Sequence, residues 1–519
     1  MTEQDFAVPA GSGRAEAEVD PTNPRTPDYN PEVTLVAIGA SAGGLMALKT
    51  FFREVPPDSG MAYVVIVHLD PDHESQMAGL LGSSSAIPVE QITESFRPEP
   101  NRVYVIPPNK NLSAAHGRVE LAPRDHHAPI DLFFRTLAAT YGAQAVGIVL
   151  SGTGSDGTMG IRAIREAGGI TIAQTPAEAE FSSMPKSAIQ TGQIDLVLSI
   201  PDMPARIIDL KGAHPKLPRT ASEPEEAEAA EPLAMILRQV AKRTGRDFSG
   251  YKRSTLLRRI ARRMAFRQVD TLPGYARLLE KDSSEADRLF QDLLISVSSF
   301  FRDPEAFDVL EREVIPTIFD GKGTNDHVRV WVAGCATGEE AYSIGMLLQE
   351  YAETLPASPE IQIFATDLDE EACGRARGGL YPGTIAADVS EERLEHFFEP
   401  EAGGYRVKHV LREMVLFAPH DVLHDPPFSK LDLVSCRNLL IYLGPEAQER
   451  VLLTFHYGLR RGGYLFLGTA EFAGDSGLFE TVDAKHRIYS RAGTRGRFLP
   501  SAAPSRYRRG EGEGEGEGE

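Results

Sequence analysis

The chain has 519 residues, of which 42% are hydrophobic, and a formal net charge of −20. This length exceeds one ordinary hydrophobic core and predicts two or three folded domains. The acidic charge disfavours broad nucleic-acid binding, which needs a basic surface. No stretch approaches the roughly 18 apolar residues of a membrane span, and the first residues lack the pattern of a signal peptide. We therefore expect a cytoplasmic protein without membrane insertion.

The cysteine pattern gives no framework for disulfides or zinc. The three cysteines, Cys335, Cys373 and Cys436, are widely spaced and all lie in the second half of the chain. Neither a disulfide-rich fold nor a Cys/His metal centre has this spacing. We expect no structural metal.

Composition divides the chain into two folded halves. Residues 1–31 are rich in proline and acidic side chains, and residues 496–519 end in a Gly-Glu repeat, so both predict disordered tails. Residues 213–231 are dominated by proline, alanine and glutamate, which predicts an extended acidic linker. The folded halves are then residues 32–212 and 232–495.

The first half predicts a doubly wound parallel sheet. Its apolar runs are continuous rather than alternating, which is typical of parallel strands covered on both faces. The six runs are Thr34–Ile38, Ala62–Val67, Arg102–Ile106, Ala145–Leu150, Ile170–Ala173 and Asp195–Leu198.

The second half predicts a helical part followed by another α/β sheet. Residues 232–319 have only helical patterns, and strand-like runs resume within residues 320–495. These runs are Val328–Ala333, Gln362–Ala365, Val415–Ala418, Leu431–Ser435 and Tyr464–Leu467. The fold class predicted for the whole chain is α/β.

Three catalytic side-chain types follow three predicted strands of the first half. Ser41, His68 and Asp156 come after the first, second and fourth runs, and reactive groups of an open parallel sheet gather at such strand ends. A serine nucleophile needs a base, and the imidazole needs a carboxylate to fix its tautomer. The backbone N–H groups of Ala42 and Thr153 are candidates for an oxyanion hole, because each lies in a small-residue loop.

The serine loop has other interpretations. A single Gly-x-Ser-x-Gly is a weak signal that also suits a phosphate loop, and the order Ser…His…Asp disfavours the common α/β-hydrolase fold. Other histidines compete for the role of base, namely His73, His116, His126 and His127. Asp125 with His126 and His127 resembles a metal cluster, but adjacent residues point apart, so we favour a solvated loop.

Four motifs of the first half occur together in one order. They are Gly39-Ala40-Ser41-Ala42-Gly43-Gly44, Val67-His68-Leu69-Asp70-Pro71, Pro129-Ile130-Asp131-Leu132-Phe133, and the run from Leu150 to Gly160. Residues 32–212 thereby resemble the catalytic domain of chemotaxis receptor methylesterases (CheB-type). The resemblance implies that Ser41 is the nucleophile, His68 the base and Asp156 its orienting acid. It also implies a glutamyl methyl ester of a chemoreceptor helix as substrate, with glutamine deamidation as a further activity. The family's usual N-terminal receiver domain has no counterpart in residues 1–31, which puts control by phosphorylation in doubt.

A glycine loop followed by acids marks a second candidate site. Gly334-Cys335-Ala336-Thr337-Gly338 follows a predicted strand and opens a helix, and the next strand ends at Asp367. The dinucleotide fingerprint Gly-x-Gly-x-x-Gly is absent, which disfavours NAD and FAD. A glycine loop with an acid at the next strand end is also used for S-adenosylmethionine, and Glu339 and Glu340 suit its cationic groups. The loop alone is equally compatible with an ordinary strand-to-helix turn.

Four further segments extend this pattern. They are Ser296–Asp303, Cys335–Ser343, Ala365–Asp367 and Ser435–Tyr442. Residues 232–495 thereby resemble chemotaxis receptor methyltransferases (CheR-type), which implies S-adenosylmethionine as cofactor and a receptor glutamate as methyl acceptor. The residues implied to line the cofactor are Ser298, Arg302, Gly334, Glu339 or Glu340, Asp367, Asp421, Val422, Arg437 and Asn438. Tyr442 and Arg302 are implied to lie near the reacting methyl group. Alignment and desolvation should carry the rate, since a carboxylate needs no base.

A basic helix precedes these segments. Arg258, Arg259 and Arg262 lie on it opposite an apolar stripe, with Arg263 pairing at i,i+4. Such a face is often only solvated, but in an acidic chain it suits docking on a glutamate-rich receptor helix. Nucleic acid is the rival ligand.

Together the two halves predict a bifunctional enzyme that removes and adds methyl groups on glutamates of chemoreceptor helices. The same activities in a non-chemotaxis sensory pathway, or a scaffold with one degenerate half, are the alternatives.

Overall fold

The computed structural model describes residues 33–68, 75–124, 128–212, 223–294, 298–401, 404–474 and 477–493. The predicted tails, most of the predicted linker, the Leu69-Asp70-Pro71 part of one motif, and His73, His126 and His127 lie outside these residues.

The first half forms a seven-stranded parallel sheet, as its continuous apolar runs predicted, in the order β3-β4-β2-β1-β7-β8-β9. Every residue of the second strand is buried, because helices cover both faces of the sheet. The strands of this half are β1 (Thr34–Ala40), β2 (Met61–Val67), β3 (Val89–Gln91), β4 (Arg102–Val105), β5 (Lys110–Ala115), β6 (Arg118–Pro123), β7 (Ala145–Val149), β8 (Ile170–Gln174) and β9 (Leu196–Leu198). The helices are α1 (Gly44–Glu54), α2 (Met77–Gly82), α3 (Pro129–Tyr141), α4 (Thr158–Glu166), α5 (Ser183–Gln190) and α6 (Met203–Gly212).

The chain changes direction across this sheet at β1. Strand β2 pairs with one edge of β1, and β7 pairs with the other. The loops after β1 and β7 therefore diverge and leave a crevice at the carboxyl ends of the strands. The crevice brings the ends of three predicted strands to one place.

The helical part begins earlier than the sequence predicted. Helix α7 (Glu223–Thr244) includes the last residues of the segment that we expected to be an extended linker, so that expectation is wrong from Glu223 onward. Alanine and glutamate favour helix, and glutamates near a helix N-terminus are stabilised by its dipole. The other helices of this part are α8 (Arg253–Phe266), α9 (Leu272–Lys281), α10 (Ser283–Leu293), α11 (Pro304–Val309) and α12 (Ile315–Phe319).

The second sheet has seven strands in the order β15-β11-β10-β16-β17-β19-β18, with antiparallel pairing only at the last two junctions. Its strands and those of a small antiparallel sheet are β10 (His327–Ala333), β11 (Glu360–Asp367), β12 (Leu380–Pro382), β13 (Phe398–Glu401), β14 (Gly404–Val407), β15 (Val415–Pro419), β16 (Leu431–Cys436), β17 (Leu459–Leu467), β18 (Phe479–Asp483) and β19 (Ile488–Arg491). Its helices are α13 (Glu339–Glu353), α14 (Glu370–Gly378), α15 (Glu391–Phe397), α16 (His409–Met414) and α17 (Pro445–Gly458). The α/β class predicted for the whole chain is confirmed.

The two halves pack against each other through charged side chains of helix α4 and the helical part. Arg165 of α4 donates to Asp292 at 2.9 Å, and Arg262 of α8 forms an ion pair with Asp195 just before β9. Arg262 also lies 3.1 Å from Asp292, so these four side chains form one network across the junction. Arg262, Asp195 and Asp292 are almost completely buried, which makes the pairs more costly to break than surface pairs.

None of the helices in the described part of the chain is long and apolar enough to cross a membrane.

Candidate active sites

The crevice of the first sheet brings Ser41, His68 and Asp156 together. The Ser41 hydroxyl lies 3.2 Å from His68 Nδ1, and His68 Nε2 lies 2.9 Å from an Asp156 carboxylate oxygen. The His68 side chain is 31% exposed, so a substrate can reach it, whereas Asp156 is nearly buried. This geometry lets the imidazole accept a proton from the hydroxyl while the carboxylate orients the ring.

Asp156 is held by backbone donors from two segments. Its carboxylate accepts hydrogen bonds from the N–H groups of Ile130 at 3.1 Å, Asp131 at 2.9 Å and Gly157 at 2.8 Å. Ile130 and Asp131 belong to the first turn of α3, where free N–H groups favour a negative charge. The motif beginning at Pro129 therefore has a structural reason, because it supplies the cradle for the orienting carboxylate.

A second buried carboxyl group lies beside this cradle, and the sequence analysis gave it no role. Asp131 is fully buried and accepts a hydrogen bond from Gly160 N at 2.7 Å. Burial, together with the nearby charge of Asp156, raises the pKa of Asp131 to about 8. At neutral pH Asp131 is therefore mostly uncharged.

The loops around Ser41 fit closely to each other. Ser41 N donates to Ser151 O at 3.0 Å, and the Ser151 hydroxyl donates to Ala42 O at 2.9 Å. A Cβ atom on Gly152 would lie 2.9 Å from Ser41 Cβ and 2.1 Å from the Met184 sulfur, so this position requires glycine. The oxyanion hole at Ala42 and Thr153 stays a prediction.

Four histidines compete with His68 for the role of catalytic base. The structure describes one of them, His116, and it lies elsewhere in the first half. His116 is in the turn between β5 and β6, in the left-handed region at φ 48°. Its hairpin is not part of the sheet that carries Ser41.

The second sheet has a pocket at the carboxyl ends of its central strands. Predicted residues line it after four strands: Gly334 follows β10, Asp367 ends β11, Asp421 and Val422 follow β15, and Arg437, Asn438 and Tyr442 follow β16. Tyr251 and Leu294 of the helical part close one side. No motif in the sequence pointed to these two residues.

Backbone N–H groups hold the Asp367 carboxylate in place. One carboxylate oxygen accepts from Ala336 N at 2.8 Å and the other from Asp369 N at 2.9 Å. Burial raises the pKa of Asp367 to about 6. Gly334 has φ 75°, and a Cβ there would come within 3.2 Å of Leu439, so this position favours glycine.

The pocket also contains polar atoms without a partner among the described residues. These are Asn438 Oδ1, His420 Nδ1 and Arg437 Nε, all buried and all on residues that line the pocket. A buried polar atom is costly unless a ligand or water satisfies it. A strand-end carboxylate for a ribose diol, together with unpaired groups for a purine edge, fits the S-adenosylmethionine that the sequence implied.

Glu339 and Glu340 have different contacts, and these contacts indicate which of the two lies near the cofactor pocket. Glu340 accepts from the Ser435 hydroxyl at 2.6 Å, and burial raises its pKa. Glu339 instead pairs with Arg162 of α4 at 2.9 Å and accepts from the Thr337 hydroxyl. Adjacent helical residues point about 100° apart, so they cannot share one role. The placement of Glu339 at the cofactor is corrected; Glu340 stays a candidate near the pocket.

Ser298 and Arg302 do not line the pocket in this conformation. The Arg302 carbonyl accepts a hydrogen bond from Arg437 at 2.8 Å. Arg437 also pairs with Asp303 at 2.7 Å, which anchors the motif beside the pocket. Their contact with the cofactor stays a prediction.

The basic helix does not present the free face that we expected. Arg259 and Arg262 are each only 3% exposed, because the first half of the chain packs over them, whereas Arg258 is exposed. Arg259 donates to the Glu166 carbonyl at 2.8 Å, and its burial lowers the pKa of Arg259 to about 10. The expectation of an open docking face is therefore wrong for Arg259 and Arg262. Sequence periodicity could not show it, since the covering surface comes from a distant part of the chain.

One lining residue of the second pocket belongs to the first half of the chain. Glu166, the last residue of α4, accepts a hydrogen bond from the Tyr442 hydroxyl at 3.0 Å. Burial raises the pKa of Tyr442, so Tyr442 remains a donor at neutral pH. No sequence signal indicated Glu166.

Family models match three parts of the chain. A CheB methylesterase model matches residues 36–207, a model for the all-alpha domain of CheR methyltransferases matches 231–294, and a model for their S-adenosylmethionine-binding domain matches 296–488.

The chain is also similar to individual proteins. A chemotaxis protein methyltransferase of Listeria monocytogenes is 33% identical over 235 residues, covering 45% of this chain and 87% of that protein. An uncharacterized 104.1 kDa protein of Rhodobacter capsulatus is 40% identical over 457 residues, 83% of this chain, and the chain spans only 47% of its length. The catalytic domain of a Thermotoga maritima CheB methylesterase is 28% identical, with a TM-score of 0.33 over 34% of this chain and 98% of that structure.

Proposed function

Because the chain belongs to the chemotaxis protein methyltransferase family and also carries a CheB methylesterase domain, we propose that it both adds and removes methyl esters on glutamate side chains of a chemoreceptor. The observation that carries the proposal is the presence of both a catalytic hydrogen-bond chain and a cofactor-sized pocket in one chain. The Ser41–His68–Asp156 chain of hydrogen bonds serves hydrolysis, and the pocket around Asp367 serves S-adenosylmethionine.

In the esterase, Ser41 attacks the ester carbonyl while His68 Nδ1 takes the hydroxyl proton. The imidazolium then returns this proton to the leaving methoxide, so methanol departs and an acyl-serine remains. Water, activated by the same imidazole, releases the glutamate carboxylate. Asp156 holds the ring through Nε2 and stabilises its positive charge, and the N–H groups of Ala42 and Thr153 are the candidates to stabilise the oxyanion.

In the transferase, Asp367 would hold the ribose hydroxyls, and Asn438 and His420 would satisfy polar edges of the nucleoside. Bound S-adenosylmethionine supplies a methyl group on a positively charged sulfur, which a carboxylate can accept without acid or base assistance. The protein's contribution is therefore position and exclusion of water. Tyr442 can orient the accepting carboxylate through its hydroxyl.

The test uses the full chain, methyl-labelled S-adenosylmethionine and a purified methyl-accepting chemoreceptor fragment. We expect label to enter base-labile esters on the fragment and then to appear as methanol. S41A should retain the label on the fragment, and D367A should prevent its incorporation. Loss of label incorporation in S41A, or failure of D367A to release methanol from a fragment labelled beforehand by the unmodified chain, would contradict two separate sites. Failure of the unmodified chain to label or deesterify the fragment would contradict a chemoreceptor substrate.

A further inference from the structure

A glutamate of the esterase domain lies at the methyltransferase pocket. Glu166 is the one residue of the first half among the described residues that line this pocket. Its carboxylate accepts from Tyr442, 276 positions later in the chain, at 3.0 Å. Tyr442 lies at the position where the family resemblance implies the reacting methyl group.

The placement of Glu166 is fixed by contacts on its backbone as well as its side chain. Arg259 Nη2 donates to the Glu166 carbonyl at 2.8 Å, and Arg259 Nη1 donates to the Arg165 carbonyl at 3.4 Å. These carbonyls end helix α4, where a cation is favourable. The preceding Arg165 side chain is bound to Asp292 of α10. The helical part of the transferase therefore contacts the end of α4 at Arg165 and at the backbone of Glu166.

The chemistry of the side chain matches the acceptor of the proposed reaction. A glutamate carboxylate is the nucleophile that the transferase is proposed to methylate, and here one already lines the pocket. Glu166 and Tyr442 are both half-buried, and the Arg259 guanidinium beside the Glu166 backbone is buried, so the protein covers this end of the pocket in part. Desolvation of a carboxylate and its alignment are the two effects from which methyl transfer gains its rate.

We propose that Glu166 is a methyl-accepting glutamate of the chain itself, presented by the esterase domain to the acceptor position of the transferase. The inference rests on the proposed function, which supplies the methyl donor. A Glu166 carboxylate oxygen forms the new bond to the methyl carbon. The carbon–sulfur bond breaks with its electron pair on sulfur, no proton moves, and the products are a neutral ester and S-adenosylhomocysteine.

The first test measures binding rather than turnover. A carboxylate at the acceptor position lies near the positive sulfur of S-adenosylmethionine but near an uncharged sulfur in S-adenosylhomocysteine. E166Q should therefore reduce the preference for the charged ligand by about tenfold in calorimetric titrations. The control is E178Q, which neutralises an exposed glutamate of the same domain. An unchanged preference in E166Q would overturn the inference.

The second test locates the methyl group. The full chain with S41A, which blocks hydrolysis, is incubated with S-adenosylmethionine and no other acceptor, and the tryptic peptide 166–186 is fragmented in a mass spectrometer. That peptide also contains Glu178 and Glu180, which serve as internal controls. We expect the methyl ester at Glu166 and its loss in E166Q.

The experiments distinguish failure of the Glu166 inference from failure of the proposed transferase function. If S-adenosylmethionine binds and the chemoreceptor fragment is methylated while Glu166 is not, only the present inference fails. If none of the variants, including E166Q, binds S-adenosylmethionine, the proposed transferase function itself fails.

Discussion

Arg162 of the esterase domain and Glu339 of the methyltransferase domain form a buried ion pair, with 2.9 Å between Nη1 and Oε1. The side chains are 9% and 1% exposed, and the Thr337 hydroxyl bonds to both partners. The Glu339 that sequence motifs assigned to cofactor binding therefore joins the two domains. Removal of one partner would leave the other charge buried and unpaired.

The first prediction concerns this pair. R162A should lower the free energy of unfolding by about 3–5 kcal/mol, because Glu339 would remain buried without its cation. The double variant R162M/E339Q should be less destabilised, since it removes both charges. Chemical denaturation followed by circular dichroism measures both. K485A, which removes an exposed ion pair with Glu305, is the control and should leave the midpoint unchanged. Equal loss in the single and double variants would contradict the argument.

The second prediction separates the catalytic sites. S41A should lower ester hydrolysis by about 10⁵-fold, because a serine nucleophile and its base act as a unit. The binding of S-adenosylmethionine should not change, since Ser41 has no contact with the pocket around Asp367. A methanol-release assay and calorimetry on the same preparation give the two values. Residual hydrolysis near that of the unmodified chain would show that Ser41 is not the nucleophile.

Much of the fold could be predicted from the sequence, because the continuous apolar run that predicts a buried parallel strand lies within one short segment. The runs at Thr34–Ile38 and Val328–Ala333 lie within the observed central strands β1 and β10. Residues at the ends of such strands meet at one edge of the sheet, so Ser41, His68 and Asp156 could be grouped without coordinates.

The features that the sequence did not reveal depend on partners far along the chain. Strand β3 (Val89–Gln91) is short and only partly buried, so it lacks an apolar run. The burial of Arg259 and the entry of Glu166 into the second pocket both depend on how the two halves pack. Periodicity and motifs describe one segment at a time. The contact of Glu166 with Tyr442 spans 276 positions and leaves no pattern in either segment.

The third prediction concerns the pH dependence of cofactor binding. Burial raises the pKa of Asp367 to about 6, and the ionised carboxylate is the form that accepts hydrogen bonds from ribose hydroxyls. Affinity for S-adenosylmethionine should therefore fall about tenfold between pH 7.5 and pH 5.0 as Asp367 becomes protonated. Calorimetric titration at several pH values measures this.

D367N is the matched variant for that experiment. It should bind weakly at every pH and lose the pH dependence that the unmodified chain shows. An equal decline in D367N would assign the effect to another group.

The fourth prediction concerns Asp131, whose fully buried carboxyl has a pKa raised to about 8 by burial and by the charge of Asp156. The ordinary value is 3.8, so between about pH 4 and pH 8 the unfolded chain has released the proton that the folded chain retains. Stability contributed by this group must therefore fall as the pH rises through that window.

D131N stays neutral, and its amide oxygen can still accept from Gly160 N, so this fall should disappear. Relative to D131N, the unmodified chain should lose up to about 1.4 kcal/mol per pH unit, measured from urea unfolding at pH 5, 6, 7 and 8. D58N, which changes an exposed carboxyl on the same domain, should keep the slope of the unmodified chain. If D131N and the unmodified chain have parallel pH profiles, Asp131 is ionised in the fold, and Asp156 has a charged neighbour.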